Sequence, residues 1–404
     1  MRPGTPGFIG ARLTEAREAR GFTVTSLSEL IGVSKQAVSQ YEKGSASPHP
    51  EAMQGIVEAL HLPLEFFLRP TGELTLPTVF YRSLSAATKA ERARADRRFG
   101  WLREVVCYVR AFVELPPANL PNLGLPGDPN ALVESDLEGV ASEIRRFWNL
   151  GDGPISNVVW LLENNGVVVA RDELGSEALD AFSAWVDGTP YVFLGSDKGS
   201  AARSRLDAAH ELAHLLLHRG VDRSQLYQQA DHRLLEDQAF RFAGAFLLPA
   251  SSFARDFYVP TLDALRVLKS KWAVSVGMMI KRAEDLTLIS PDQARRLWIS
   301  YNRRGWKRKE PLDDELPIEQ PRLLRRSMEL IVNEAGQSHA HVLSELPFAV
   351  SDVEELASLP PGSIGDVPPP VRLIDLLAHR SDSNRSRGSG PGDIVNFPNT
   401  RDGR

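Results

Sequence analysis

Residues 207–218, DAAHELAHLLLH, carry three histidines spaced four residues apart and one glutamate within an otherwise apolar run. Positions four residues apart lie on one face of an α-helix, one above the other. A single histidine on an apolar helix face is usually a hydrogen-bonded core residue, whereas two of them around a glutamate, one turn apart, are usually not. The run therefore predicts a buried helix with a metal-binding face, and the rest of the fold has to be built around it.

His210, Glu211 and His214 form the pattern H-E-x-x-H. Both imidazoles can reach one ion, and zinc suits them because it binds imidazole nitrogen at about 2.0–2.1 Å and needs only three protein ligands in a catalytic site. Glu211 is offset by one residue, so its carboxylate stands beside the ion, where a general base acting on water is needed. The pattern predicts about one Zn²⁺ per chain, with His210 and His214 as ligands and Glu211 as the catalytic residue.

A third ligand is expected from a second helix, LLEDQAFRFAGAFLLP. Glu236 is the best candidate because the apolar residues that follow it at helical spacing place it on the stripe that faces the first helix. Asp237 stands behind it, and His232, in the preceding loop, is a weaker alternative.

His218 completes the row of histidines in the first helix. At ~1.5 Å of rise per residue it lies about 12 Å along the helix from His210, too far to share a tetrahedral ion with it. We therefore predict that His218 supports the site without binding the ion.

The segment TVTSLSELIGVSKQAVSQYEKGSASPHP, near the N-terminus, predicts two helices joined by a tight turn at Gly32. Ser34 is placed to cap the second helix, and the apolar residues of both helices are spaced to pack into one core. Glutamine can recognise adenine, lysine can reach guanine, and serine and lysine suit DNA phosphates. The residues predicted to contact DNA are Ser34, Lys35, Gln36, Ser39, Gln40 and Lys43.

Both segments resemble known families. RLDAAHELAHLLLH together with EDQAFRFAGAFLLP resembles the ImmA/IrrE family of metallopeptidases, and GVSKQAVSQYEKG resembles the XRE (Cro/repressor) family. The first resemblance implies that His210, His214 and Glu236 bind zinc. It also implies that Glu211 is the catalytic glutamate.

Two positions depart from the pattern of the ImmA/IrrE family. Phe240 stands where asparagine is usual, and Gln238 replaces a frequent acidic residue. Neither change removes a predicted ligand, but both alter the polarity around the site. In zincin-type sites the substrate chain pairs with an exposed strand edge, and AFSAWV or YVFLG is expected to offer that edge here.

The sequence as a whole predicts an α+β chain that is mostly helical. An all-α, repressor-like helix-turn-helix domain precedes a zincin-like domain with a small β-sheet and the H-E-x-x-H helix, and GVVVARD, AFSAWV and YVFLG are the expected strands. The predicted segments are a helix-turn-helix domain (1–70), a basic helical connector (71–130), a metallopeptidase-like domain (131–310), a small helical C-terminal region (311–380) and a disordered tail (381–404).

Cysteine content and charge restrict the class of protein. Cys107 is the only cysteine, which excludes intrachain disulfides and cysteine-based zinc modules. No run approaches ~18 uninterrupted apolar residues and the N-terminus lacks a signal-peptide core, so a cytoplasmic protein without membrane contact is expected. The net charge of −5 excludes a uniformly basic protein, and the charges of residues 1–70 roughly cancel. The basic runs RADRR and RRGWKRK are more typical of solvated surface than of contacts with the DNA backbone.

These patterns predict a DNA-binding transcriptional regulator that carries a zinc-dependent endopeptidase domain. The expected partners are a double-stranded DNA operator, bound by a homodimer, and a protein substrate, which is a repressor or antitoxin-like partner or the chain itself. The alternative is a regulator, or a toxin–antitoxin-type autorepressor, that does not cleave proteins and uses the peptidase-like domain as a sensor or partner-binding module. The presence of Glu211 favours the first function, because a purely structural metal site needs no base there.

Overall fold

The computed structural model describes residues 4–71, 79–81, 87–175, 179–196, 199–221 and 229–365. The described part is mostly helical and contains one small β-sheet, which confirms the predicted fold class. The predicted tail, 381–404, and the preceding residues 366–380 lie outside the described residues. None of the helices within the described ranges is long and apolar enough to cross a membrane.

Residues 10–68 form a group of five short helices. Their bounds are α1 Gly10–Ala19, α2 Val24–Leu30, α3 Lys35–Glu42, α4 Pro50–Leu60 and α5 Leu64–Leu68. Gly32 lies between α2 and α3 with a φ of +69°, a left-handed conformation that glycine adopts without steric cost. Ser34 Oγ accepts a hydrogen bond from the backbone N–H of Ala37 at 3.1 Å, so Ser34 caps α3 as the sequence predicts.

The sheet has four strands within the described residues, in the order β1-β3-β4-β2. Their bounds are β1 Val79–Tyr81, β2 Val168–Asp172, β3 Ala181–Val186 and β4 Thr189–Gly195. β3 and β4 form the predicted hairpin, whose two-residue turn consists of Asp187 and Gly188 with φ values of +49° and +76°. β2 is parallel to β4, and β1 is antiparallel to β3.

The remaining described helices contribute residues to two hydrophobic cores. A short 3₁₀ turn, Pro129–Ala131, precedes α7. The helices are α6 Lys89–Arg110, α7 Glu134–Phe147, α8 Val158–Asn164, α9 Ala201–Leu217, α10 Gln229–Leu247, α11 Ala250–Asp256, α12 Leu262–Trp272, α13 Val276–Asp285, α14 Pro291–Arg303, α15 Leu323–Asn333, α16 His339–Glu345 and α17 Val350–Leu356.

Both faces of the sheet are buried, each by a different part of the chain. Side chains along a strand alternate between the two faces. On β3, Phe182 and Ala184 belong to a core that also contains residues of α6, of the N-terminal helices and of α15–α17. Ala181 belongs to a second core, formed with α7–α14. The helix α9, which carries the histidines, therefore covers one face, and α6 and the C-terminal helices cover the other.

The basic run RADRR, residues 94–98, is not a solvated surface, and the expectation that it would be is wrong. Arg98 is buried and forms ion pairs with Asp172 at the end of β2 and with Asp352 in α17. Arg20, at the end of α1, donates hydrogen bonds to both carboxylate oxygens of Asp352, at 2.7 and 2.6 Å. These four residues join the N-terminal helices, the sheet and the C-terminal helices.

Candidate metal centre and recognition helix

Three predicted ligands converge where α9 packs against α10. The Nε2 atoms of His210 and His214 lie 3.1 Å apart. Glu236 Oε2 lies 3.2 Å from Nε2 of His210, and Glu236 Oε1 lies 3.4 Å from Nε2 of His214. Both histidines are 1% exposed, and the side chain of Glu236 is 20% exposed. The site is thus buried on the histidine side and open to solvent on the carboxylate side.

This geometry fits a metal ion. A tetrahedral ion that holds its ligand atoms at about 2.0–2.1 Å separates those atoms from one another by about 3.3 Å. The separations of 3.1, 3.2 and 3.4 Å among the atoms of His210, His214 and Glu236 agree with that value. Two imidazole nitrogens and one carboxylate are a donor set that suits a divalent transition-metal ion. The three residues therefore form a candidate metal site.

Glu211 lies beside this site and is held by the sheet. Its side chain is fully buried, and Oε2 accepts a hydrogen bond from Ser183 Oγ at 2.6 Å. Ser183 lies on β3, on the face that α9 covers. A carboxylate fixed in this way next to the convergent ligands has the placement that a general base requires.

The two alternative third ligands are placed differently from Glu236. Asp237 is exposed on another side of α10. His232 lies on α10 itself, one turn before Glu236, and not in the preceding loop as expected. Its Nε2 is 3.9 Å from Glu236 Oε1, and His232 is not one of the three residues whose ligand atoms converge.

His218 contacts the back of the metal site. Its Nδ1 lies 2.9 Å from His214 Nδ1, and its Nε2 lies 3.1 Å from Gln238 Oε1. Burial and the neighbouring His214 lower the pKa of His218 well below its usual range, which keeps the ring neutral at physiological pH. His218 lies behind His214 and is not one of the three residues whose ligand atoms converge.

Helix α3, for which the sequence predicts contacts with DNA, presents its polar residues to solvent. Val38 and Tyr41 are buried and hold the inner face of α3 against the N-terminal core. Of the six residues predicted to contact DNA, Ser39 is half-buried and the other five are exposed. Those five residues are Ser34, Lys35, Gln36, Gln40 and Lys43.

Two known family models match this chain, one over the region of the candidate metal centre and one over the N-terminal helices. Residues 162–284 match a family model described as the IrrE N-terminal-like domain, and residues 13–67 match a helix-turn-helix model. The chain carries a helix-turn-helix domain and an IrrE N-terminal-like domain. The HTH-type transcriptional regulator SutR of Escherichia coli (strain K12) is 32% identical over 73 residues, which are 18% of this chain. The match spans 40% of the length of SutR.

Much of the positive charge of the helix-turn-helix domain is held in ion pairs, within the domain or with α17. Arg12, Arg17 and Arg20 each form ion pairs with buried or half-buried carboxylates, at 3.0, 2.5 and 2.6 Å. Lys35 and Lys43, by contrast, are exposed on or next to α3. Although the net charge of this domain is near zero, α3 and the residue that follows it therefore still present two exposed lysines.

The strands of the IrrE N-terminal-like domain do not offer the exposed edge that the sequence predicts. β4 lies between β3 and β2. The outer edge of β3 pairs with β1, which joins Phe182, Ser183 and Ala184 to the backbone of residues 79–81. Within the described residues, Ala181 at one end of β3 and Trp185 and Val186 at the other extend past this pairing.

Sequence reasoning missed two residues of the site. Ser183 holds Glu211, and Gln238, noted only as a departure from the family pattern, contacts His218. A signal existed for Ser183, because it is the polar residue of the apolar strand AFSAWV. No local pattern identifies Gln238, since its partner lies 20 residues away, directly after the end of α9.

Proposed function

We propose that this protein is a DNA-binding transcriptional regulator whose IrrE N-terminal-like domain is a zinc endopeptidase. The observation that carries the proposal is the convergence of His210, His214 and Glu236, at 3.1–3.4 Å, with Glu211 beside them. The substrate is a protein, either a repressor or antitoxin-like partner or the chain itself. A regulator that binds an operator works where the DNA is, so the cytoplasm is its proposed location.

The chemistry follows from the placement of these side chains. When bound, zinc would supply the positive charge that polarises both a water molecule and the carbonyl group of the substrate. Glu211 takes a proton from that water and delivers it to the amine that leaves as the peptide bond breaks. Ser183 keeps the Glu211 carboxylate in one orientation by donating to Oε2.

A second candidate function is a regulator that does not cleave proteins and uses this domain as a sensor or partner-binding module. The pairing of β1 with β3 favours it, because a peptide substrate in a zincin-type site needs the strand edge that β1 occupies. The two functions differ in one requirement. A sensor needs the metal ligands but has no need of a proton acceptor at Glu211.

The metal site is tested by removing one ligand. His210→Ala is expected to abolish stoichiometric zinc binding, because it deletes one of three convergent ligand atoms. The wild-type chain is expected to retain about one zinc after gel filtration, measured by inductively coupled plasma mass spectrometry. His232→Ala is the matched control and should keep its zinc, since His232 lies outside the convergent set. Equal zinc content in all three proteins would refute the assignment.

DNA recognition is tested on α3 with an operator selected from random duplexes. Gln36→Ala is expected to weaken operator binding by about 1–3 kcal/mol and to leave non-specific binding unchanged, because glutamine contacts base edges. Lys43→Ala is expected to weaken binding to all duplexes and to reduce the slope of log K against log salt by about 0.9. Gln54→Ala is the control, since Gln54 lies on α4 and its side chain bonds Glu58 on the same helix. An unchanged affinity in Gln36→Ala and Lys43→Ala would contradict DNA binding by α3.

We infer that the protein binds its operator as a homodimer. A single helix-turn-helix module buries too little surface for tight specific binding, and dimers of such modules bind two half-sites about one helical turn apart. The selected operator is therefore expected to be an inverted repeat.

A further inference from the structure

A chain of buried hydrogen bonds leads from the metal ligand His214 to a backbone carbonyl in another part of the molecule. His214 Nδ1 lies 2.9 Å from His218 Nδ1, and His218 Nε2 lies 3.1 Å from Gln238 Oε1. Gln238 Nε2 in turn donates to the carbonyl oxygen of Pro129 at 2.7 Å. The three side chains are between 0 and 4% exposed, so bulk water does not compete for these bonds.

The carbonyl group of Pro129, at the end of this series of hydrogen bonds, determines which atom donates and which accepts in each of them. A carbonyl oxygen only accepts, so the group that faces Pro129 must be the NH₂ of Gln238, and the amide oxygen faces His218. That oxygen also only accepts, so His218 carries a proton on Nε2. A neutral imidazole has one N–H, and Nδ1 of His218 is therefore an acceptor.

The hydrogen bond between His218 and His214 fixes the position of the proton on the metal ligand in the same way. Because Nδ1 of His218 accepts, Nδ1 of His214 carries a proton and donates it. Nε2 of His214 then holds a lone pair, and this atom is the one that faces Glu236 at 3.4 Å and His210 at 3.1 Å. The tautomer that can bind a metal through Nε2 is thus selected by hydrogen bonding before the ion arrives.

We propose that Gln238 is a positioning residue that acts through His218 to fix His214 in the tautomer that presents Nε2 to the metal. This inference rests on the metal site of the proposed function and goes beyond it by assigning a role to Gln238 and to the carbonyl of Pro129. Pro129 lies in the 3₁₀ turn before α7, so a segment outside α9 and α10 sets the state of a ligand on α9.

The same series of hydrogen bonds shows what an amide at position 238 provides that a carboxylate does not. An amide accepts from His218 on one side and donates to the Pro129 carbonyl on the other. A carboxylate accepts only, so an acidic residue at this place would satisfy His218 but turn a negative oxygen toward the carbonyl oxygen of Pro129. Gln238, which replaces the acidic residue frequent in the family, therefore suits the carbonyl group of Pro129.

The direct test is the tautomer itself, measured on the full-length, metal-free protein. With ¹⁵N-labelled histidine, two- and three-bond proton–nitrogen correlation spectra distinguish protonated from unprotonated ring nitrogens. We expect the proton of His218 on Nε2 and that of His214 on Nδ1, with the signals assigned from His214→Gln and His218→Gln variants. A proton on Nδ1 of His218 would overturn the proposal. This measurement requires no substitution at position 238.

Zinc affinity of two variants gives the second test, by competition with a chromophoric chelator. Gln238→Leu removes the acceptor for His218 and is expected to weaken zinc binding about 10–100-fold. Gln238→Glu retains the acceptor and is expected to bind zinc within a few-fold of wild type, although it loses the bond to Pro129 and some thermal stability. Equal losses of affinity in both variants, or no loss in Gln238→Leu, would overturn the proposal. A wild-type chain that binds no zinc would refute the proposed metal site, whereas the tautomer spectra would still show whether His218 and His214 carry their protons as this proposal requires.

Discussion

Glu211→Gln is expected to leave zinc bound and to lower peptide-bond hydrolysis by at least about 10²–10⁴-fold, the usual contribution of a general base. Glutamine has the same shape and still accepts the hydrogen bond from Ser183, but its amide cannot take up the proton of a water molecule. Glu211 is not one of the three convergent residues, so the metal ligands remain complete. Incubation of the wild type and the variant with cell lysate, followed by mass spectrometry of new peptide N-termini, measures the difference.

Two controls separate loss of the base from general damage to the site. Asp237→Asn changes an exposed acid adjacent to Glu236 and is expected to keep both zinc and cleavage. Ser183→Ala removes the hydrogen bond to Glu211 but keeps the carboxylate, so a smaller loss than in Glu211→Gln is expected. Identical peptide termini from the wild type and Glu211→Gln, with zinc present in both, would contradict proteolysis and support the non-proteolytic alternative.

The parts of the site that the sequence predicts are those fixed by helical geometry. His210, Glu211 and His214 lie within one and a half turns of α9, so their spacing alone places them together. Glu236 was identifiable because the apolar stripe of α10 indicates which side of that helix faces α9. Agreement between prediction and structure is closest where neighbours in space are also neighbours along a helix.

The parts that the sequence does not predict depend on contacts between distant segments. Nothing in the run RADRR indicates that Arg98 is buried against Asp172 and Asp352, which are 74 and 254 residues away. The pairing of β1 with β3 joins residues about a hundred positions apart, and it covers an edge that the hairpin pattern leaves exposed. Such contacts depend on how the two cores assemble on the sheet, and hydropathy patterns do not specify that assembly.

Asp352 forms the contacts that join the segments most distant from one another in the sequence. Its side chain is 2% exposed and lies between the guanidinium groups of Arg20 and Arg98. Burial acts to raise the pKa of Asp352, but the two arginines outweigh it and lower the pKa to about 2. The folded-state pKa is thus below the usual value near 3.8, so the carboxylate stabilises the fold above pH ~4 and this contribution is lost as the pH falls toward 2.

Asp352→Ala is expected to lower the free energy of unfolding by roughly 3–5 kcal/mol, because it leaves Arg98 buried and Arg20 largely buried without their shared counter-charge.

Glu355→Ala is the matched control on the same helix. Glu355 also pairs with Arg98, at 3.2 Å, but its side chain is 57% exposed, so a loss of about 0–1 kcal/mol is expected. Urea unfolding at pH 7, followed by both circular dichroism and tryptophan fluorescence, measures the two losses. Repeating the titration near pH 3 should narrow the gap between wild type and Asp352→Ala, since Asp352 of the unfolded wild-type chain, with its ordinary pKa near 3.8, binds a proton there while the folded carboxylate is still mostly ionised. Equal and small losses in Asp352→Ala and Glu355→Ala would mean that the cluster does not hold the N-terminal helices, the sheet and α17 together, and that hydrophobic contact alone does.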